Sequence, residues 1–218
     1  MLTKAQTSRE MVFPFFPQGE RLTPFMRACA LWATLEEHDK ILDMACGSGA
    51  LLSFLNDRYR LTLCGMCDSP EQARAVRQRL EDADVISARL EDIPWRGEIF
   101  HAVLLPVLLR GEEMRQALSE AYRVLRYGGR FFCLEFSTTT WPGFKEAYDL
   151  YSHQLVPRIG QAIAGDAESY RYLVESIRRF PSMPEFEGMI RKAGFVRTKV
   201  EPIMAGLDAI HSGWKAGI

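Results

Sequence analysis

The stretch Lys40-Ile-Leu-Asp-Met-Ala-Cys-Gly-Ser-Gly-Ala-Leu-Leu52 constrains the fold of this chain more than any other. Ile41 and Leu42 end an apolar strand. Cys46-Gly47-Ser48-Gly49 is small enough for backbone to approach a ligand, and Ala50 to Leu55 opens a helix whose N-terminus faces that turn. Strand, tight turn and helix in this order belong to an open parallel sheet, which binds its ligands at the carboxyl ends of its strands.

The residues around the turn select the ligand. A dinucleotide fingerprint carries a third small residue three positions after the second Gly, where this chain has Leu52, and the Gly-Lys-Ser/Thr of a phosphate loop is absent. Two acids remain: Asp43 before the turn, and Asp68 closing the next apolar run from Leu61. Asp68 is placed to accept both hydroxyls of a ribose. A loop with a ribose acid and no phosphate anchor suits S-adenosyl-L-methionine, with Asp43 holding the methionine end directly or through water. The expected contacts are Asp43, Ala45, Cys46, Gly47 and Gly49 from the loop, then Asp68 and Ser69 from the end of the second strand. The alternative is a Gly-rich turn beside a surface Asp.

With 218 residues, 47% of them hydrophobic, and a formal net charge of -1, the chain fits one domain with a generous core. Its 27 basic residues stand against 28 acidic ones, which lacks the basic excess of a nucleic-acid binder. The cysteines at 29, 46, 64, 67 and 133 are odd in number and spread over helix, turn and strand, so they read as reduced, buried thiols in a cytoplasmic enzyme. Cys64-Gly-Met-Cys67 has redox or metal spacing, yet no second pair or His cluster accompanies it, and no metal is expected. The longest apolar run, Ile99 to Leu109, is broken by His101 and Pro106 and is too short to span a bilayer.

In chain order, Met1 to Arg21 reads as an arm or lid, and its aromatic segment Phe13 to Pro17, interrupted by prolines, either packs as core under the sheet edge or forms a mobile lid over an apolar substrate. A helix starts at Thr23-Pro24. Strands follow at Leu61 to Cys67, Val85 to Ala88, Glu98 to Leu105 and Arg130 to Phe136, with helices from Ser69-Pro70 to Leu80 and from Glu112 to Leu125 between them. Tyr127-Gly128-Gly129 reads as a turn. The alternation predicts a parallel sheet. After Thr138 the pattern turns helical, over Pro142 to Ala164, Asp166 to Phe180 and Pro184 to Ala193, before strands at Phe195 to Pro202 and from Leu207. Residues 138 to 193 therefore form an insertion over the carboxyl ends of the strands, on the substrate side of a single domain, 1 to 218.

The motifs at 41 to 49, Asp68, Ile93-Pro-Trp95 and Tyr122-Arg-Val-Leu-Arg-Tyr-Gly-Gly-Arg130 resemble those of class I S-adenosylmethionine-dependent methyltransferases. A narrower resemblance lies in Leu134-Glu-Phe-Ser137, Tyr148 to Gly160, Asp166 to Pro181, Ala193-Gly-Phe195 and His211-Ser-Gly-Trp-Lys215. These are similar to the ubiquinone/menaquinone biosynthesis C-methyltransferases, which methylate a ring carbon of a prenylated quinol. The resemblance implies an α/β, Rossmann-like, doubly wound and mostly parallel seven-stranded sheet with a helical insertion after strand 5. It also implies Arg110 as the active-site arginine. Arg89 stands where the family carries an acid or Asn near the adenine, and Gly111 where it carries Asn. A guanidinium only donates and so does the adenine amine, so the adenine contacts pass to Leu90 and Glu91.

Carbon methylation needs an electron-rich ring, a carbon held in line with the methyl at about 3 to 3.5 Å, and exclusion of water. Arg110 is the candidate to stabilise a quinolate or poise a water, His153 is a candidate base, and Tyr148, Tyr151, Tyr170 and Tyr172 are candidates to line a quinol pocket. His101 and His38 have no partner legible in the sequence. A quinol acceptor implies transient contact with the inner membrane surface, and a homodimer is compatible with the chain. Two alternatives stand beside the methyltransferase: a non-methylating cofactor-binding partner in a quinone-synthesis complex, and a user of the same cofactor acting on another small molecule.

Overall fold

The computed structural model of this chain describes residues 34–105, 111–136, 180–203 and 208–217. The described strands are β1 (Lys40–Asp43), β2 (Thr62–Cys67), β3 (Asp84–Ser87), β4 (Phe100–Leu105), β5 (Leu125–Phe136), β6 (Val196–Ile203) and β7 (Asp208–Trp214). The described helices are α1 (Ala50–Asn56), α2 (Pro70–Arg79), α3 (Gly111–Val124) and α4 (Met183–Lys192). The strands make one seven-stranded sheet in the order β3-β2-β1-β4-β5-β7-β6. β1 to β5 pair in parallel, and β7 runs antiparallel to both β5 and β6. The α/β, mostly parallel seven-stranded sheet expected from the sequence is therefore the observed one.

Helices cover both faces because the parallel strands are apolar on both sides. On one face, α3 contributes Met114, Ala117, Leu118 and Ala121, and α4 contributes Phe186 and Ile190, packed on Leu42, Val103, Phe131 and Cys133. On the other face, α1 contributes Leu51, Leu52 and Leu55, and α2 contributes Ala73 and Val76, against Ile41, Leu63, Leu104 and Phe132. Phe131 stacks on Phe195 with ring centroids 4.9 Å apart, and truncating either ring to Ala would cost about 3 to 5 kcal/mol. The start of α2 is set locally: Ser69 caps it by accepting from the Gln72 N–H at 3.2 Å, with Pro70 at the first helical position. At α4 the Ser182 N–H donates to Glu185 Oε2 at 2.8 Å.

Two sequence expectations are altered. Tyr127-Gly128-Gly129 is not a turn between helix and strand; β5 already begins at Leu125 and bulges through these residues. The register passes from Phe100↔Leu125 to Ala102↔Arg130, so two steps along β4 face five along β5. The bulge persists because the residue after β7 holds it: the Lys215 N–H donates to the Gly129 carbonyl and the Gly128 N–H to the Lys215 carbonyl. The second concerns α4, which falls within the stretch read as a substrate-side insertion. It buries Phe186 and Ile190 in the sheet core, beside Phe195 and the His211 ring of β7, since an amphipathic helix must bury its apolar face. The arm at 1 to 21, the Thr23 helix and residues 138 to 179 lie outside the described residues.

Candidate cofactor site

The sheet grows from β1 outward to β2 and β3, then returns to place β4 on the other side of β1. The loop after β1 therefore opens at the switch point of the strand order. Backbone bonds hold it there. The Met44 N–H donates to Leu104 O at 2.9 Å and the Cys46 N–H to Met66 O at 2.8 Å, tying the loop to the strand on each side of β1. Gly47 and Ser48 are exposed at its crest. Gly49 then enters α1 at φ +77°, where a Cβ would also lie 2.8 Å from Val76 Cγ1. Gly65 on β2 is required for another reason: a Cβ there would fall 2.8 Å from Leu52 Cδ1 and 3.2 Å from Cys46 Sγ. Its absence lets the loop lie down on the strand.

Asp43 ends β1 and is 0% exposed, so the surface-Asp alternative does not hold. Its Oδ1 accepts from the Ala45 N–H at 3.1 Å, while Oδ2 has no hydrogen-bond partner among the described residues. Burial pushes its pKa up from 3.8 to about 7, with the Ala45 N–H pulling the other way. A buried carboxylate oxygen beside a Gly-rich loop fits a ligand carrying an amino group or an ordered water, as the methionine end of S-adenosylmethionine does.

Asp68 follows β2 directly, with the Ser69 cap next to it. The turn leaving β3 is joined to this point, since the Ala88 N–H donates to Cys67 O at 3.3 Å. Leu90 is buried within that turn. Arg89 is turned away: its guanidinium is 81% exposed and pairs with Glu91 at 3.2 Å. Ile93 to Trp95 belong to a different contact. The Ile93 N–H donates to Glu120 Oε2 at 2.8 Å, and Arg123 donates to the carbonyls of Ile93 and Trp95 at 2.8 and 2.9 Å. This fixes the far end of the segment to α3, while Ala88 holds its near end to Cys67, the residue before Asp68. The structure thus gathers Asp43, Ala45, Cys46, Gly47, Gly49, Asp68, Ser69, Leu90 and Glu91 around one end of the sheet. Arg110, His153, Tyr148, Tyr151, Tyr170 and Tyr172 lie outside the described residues.

Some placements were not legible beforehand. His101 has partners after all: Nδ1 accepts from the Lys40 N–H at 3.0 Å and Nε2 faces Asp39 Oδ1 at 3.1 Å. Its pKa is lowered, chiefly by burial, so it acts as a neutral tether for β1. Glu135 is buried near the carboxyl end of β5, with its Oε1 accepting from Cys133 Sγ at 3.4 Å. An acid at a core-facing position of an apolar strand was the available signal. Lys215 is also buried and lies over the end of α3, where Nζ donates to Tyr122 O at 3.0 Å and Leu125 O at 2.9 Å.

The model of the ubiE/COQ5 methyltransferase family matches residues 26–215. The chain is 42% identical over 183 residues to the ubiquinone/menaquinone biosynthesis C-methyltransferase UbiE of Zymomonas mobilis, covering 81% of this chain and 75% of that protein. It is 42% identical over 185 residues to the UbiE of a Bradyrhizobium strain, covering 80% and 73%. In fold it is similar to phosphoethanolamine N-methyltransferase 2 of Haemonchus contortus, solved with S-adenosyl-L-methionine, with TM-score 0.67, 12% identity, and 99% and 58% of the two chains covered. On a seven-stranded sheet with a Gly-rich loop at its switch point, flanked by Asp43 and Asp68, this match settles the family: the chain belongs to the ubiE/COQ5 methyltransferase family and is an S-adenosylmethionine-dependent methyltransferase.

Proposed function

We propose that this enzyme methylates a ring carbon of a prenylated quinol in ubiquinone or menaquinone biosynthesis. The observation that carries the reading is the identity to relatives of that name over four fifths of the chain. Bound S-adenosylmethionine supplies an electrophilic methyl group. The residues of the chain do the rest. Asp43 holds the amino end with its buried Oδ2, Asp68 accepts the ribose hydroxyls, and the turn at Leu90 and Glu91 borders the adenine. Arg110 stabilises negative charge on the quinol oxygen, His153 takes the ring proton, and Tyr148, Tyr151, Tyr170 and Tyr172 wall the ring from water. A prenylated acceptor also places the enzyme at the cytoplasmic surface of a membrane. No helix among the described residues is long and apolar enough to cross one.

The test is transfer of labelled methyl to a set of demethylated quinols, repeated with Arg110→Ala. Expected is methylation at carbon, with kcat in the variant lower by about a hundredfold and S-adenosylhomocysteine affinity unchanged. Turnover within a few-fold of wild type would remove Arg110 from the chemistry. Absence of transfer to any quinol, with labelling of another acceptor, would overturn the substrate class.

A further inference from the structure

We propose that Cys46 and Cys67 form a redox modification site under the cofactor loop, where a small hydroperoxide oxidises them to a disulfide and the cross-linked chain binds S-adenosylmethionine poorly. The pairing is not the one the sequence spacing offers. Cys64 and Cys67 point to opposite faces of β2, Cys64 into the core under α3 and Cys67 into the core under α1. Cys67 instead meets Cys46 from the neighbouring loop, with the two sulfurs 2.7 Å apart. The missing side chain of Gly65, two residues before Cys67 on the same face, makes room for Cys46 to lie across the strand.

Access is through the loop. Cys46 and Cys67 are 5% and 3% exposed, yet Cys67 Sγ lies 3.9 Å from the carbonyl of Gly47, an exposed residue with no side chain. A water-sized oxidant needs only a local opening of that loop, whereas a bulky disulfide needs far more. Cys67 is the sulfur that lies against the exposed Gly47, and the hydrogen bond between the two thiols holds its pKa down while raising that of Cys46, so Cys67 is the attacking sulfur. Its thiolate attacks one peroxide oxygen, the O–O bond breaks, and a sulfenic acid and hydroxide form. Cys46 sulfur then attacks the sulfenic sulfur, the S–S bond forms, and water leaves. Two thiols and one hydroperoxide thus give a disulfide, with two electrons passing from sulfur to oxygen; from hydrogen peroxide the other product is two waters.

The consequence follows from chain neighbours. Gly47 succeeds Cys46, and Asp68 succeeds Cys67. A disulfide holds its sulfurs at about 2.05 Å with a near-perpendicular torsion, which draws the loop and the ribose acid into a new separation. The two halves of the cofactor site are thereby set apart from the geometry that binds. By linkage, bound cofactor opposes the cross-link by the same factor.

The experiment treats the full chain with hydrogen peroxide, alkylates the remaining thiols after denaturation, and follows intact mass, peptide map and S-adenosylhomocysteine binding by calorimetry. Expected are a loss of about two mass units before alkylation and two fewer alkyl groups after it, a peptide joining residues 46 and 67, and an affinity lower by about tenfold or more that returns with dithiothreitol. Bound S-adenosylhomocysteine should slow the reaction, and Cys67→Ser should keep its affinity through the same treatment. Cys64 and Cys133, both on the other face, serve as internal controls and remain alkylatable. A cross-link with affinity unchanged or raised overturns the proposal, as does oxygen addition to either cysteine without a cross-link. Wild-type mapping alone decides the modification site if Cys67→Ser does not fold.

Discussion

Replacing Asp43 by Asn tests the electrostatics of the cofactor site in the free enzyme. The carboxyl group has an ordinary pKa of 3.8, and burial raises it to about 7 in the folded chain. Between these values the folded state keeps a proton that the unfolded state has lost, so stability drains away as pH rises through the window. The penalty is absent below the lower value and complete above the upper one, where the difference of about 3 pH units corresponds to roughly 4 kcal/mol. The amide that replaces the carboxyl group can still accept from the Ala45 N–H but has no proton to lose. His211 runs the opposite way: burial against the Phe186 ring lowers its pKa from 6.5 to about 4, so its contribution is present above the higher value and is lost as pH falls through the lower. Both proteins share His211, and subtracting their stabilities removes it. Urea unfolding of wild type and Asp43→Asn from about pH 5 to about pH 8 should show wild type losing roughly 2 to 3 kcal/mol relative to the variant. Saturating S-adenosylhomocysteine should flatten this difference, because a ligand that pairs with the carboxylate favours its ionised form. A difference constant with pH would refute the assignment of the titration to Asp43.

Removing the carboxylate of Asp68 with Ala should weaken S-adenosylhomocysteine binding by roughly 2 kcal/mol in calorimetry, since charge-assisted bonds to the ribose are lost; unchanged affinity would withdraw the ribose role. Arg89→Ala should leave that affinity within about twofold, because the guanidinium points to solvent and Glu91; a loss of about tenfold would place it on the ligand after all. Lys215→Met would strand the carbonyls of Tyr122 and Leu125 at the end of α3, a loss of about 3 kcal/mol and a fall in Tm of roughly 6 to 12 °C by calorimetric scan; a shift under a degree would show that those carbonyls find other partners.

The parts legible in the sequence were those written in local chemistry. The Gly-rich loop, the Ser69-Pro70 cap and the apolar stripe of Met114, Leu118 and Ala121 each determine an element from residues a few positions apart, and the alternation of elements determined the sheet. The two acids flanking the loop were legible because each closes an apolar strand. What only the tertiary structure decided involves partners distant in sequence or properties conferred by burial. Cys46 meets Cys67 across 21 residues and Lys215 reaches Leu125 across 90. Asp43 owes its altered titration to being sealed under the loop. The β5 bulge exists because the end of β7 holds it. Strand pairing sets these contacts, and no window of sequence contains both sides of a pair, so the spacing within β2, read as that of buried thiols, gave no sign that the fold puts Cys67 beside Cys46.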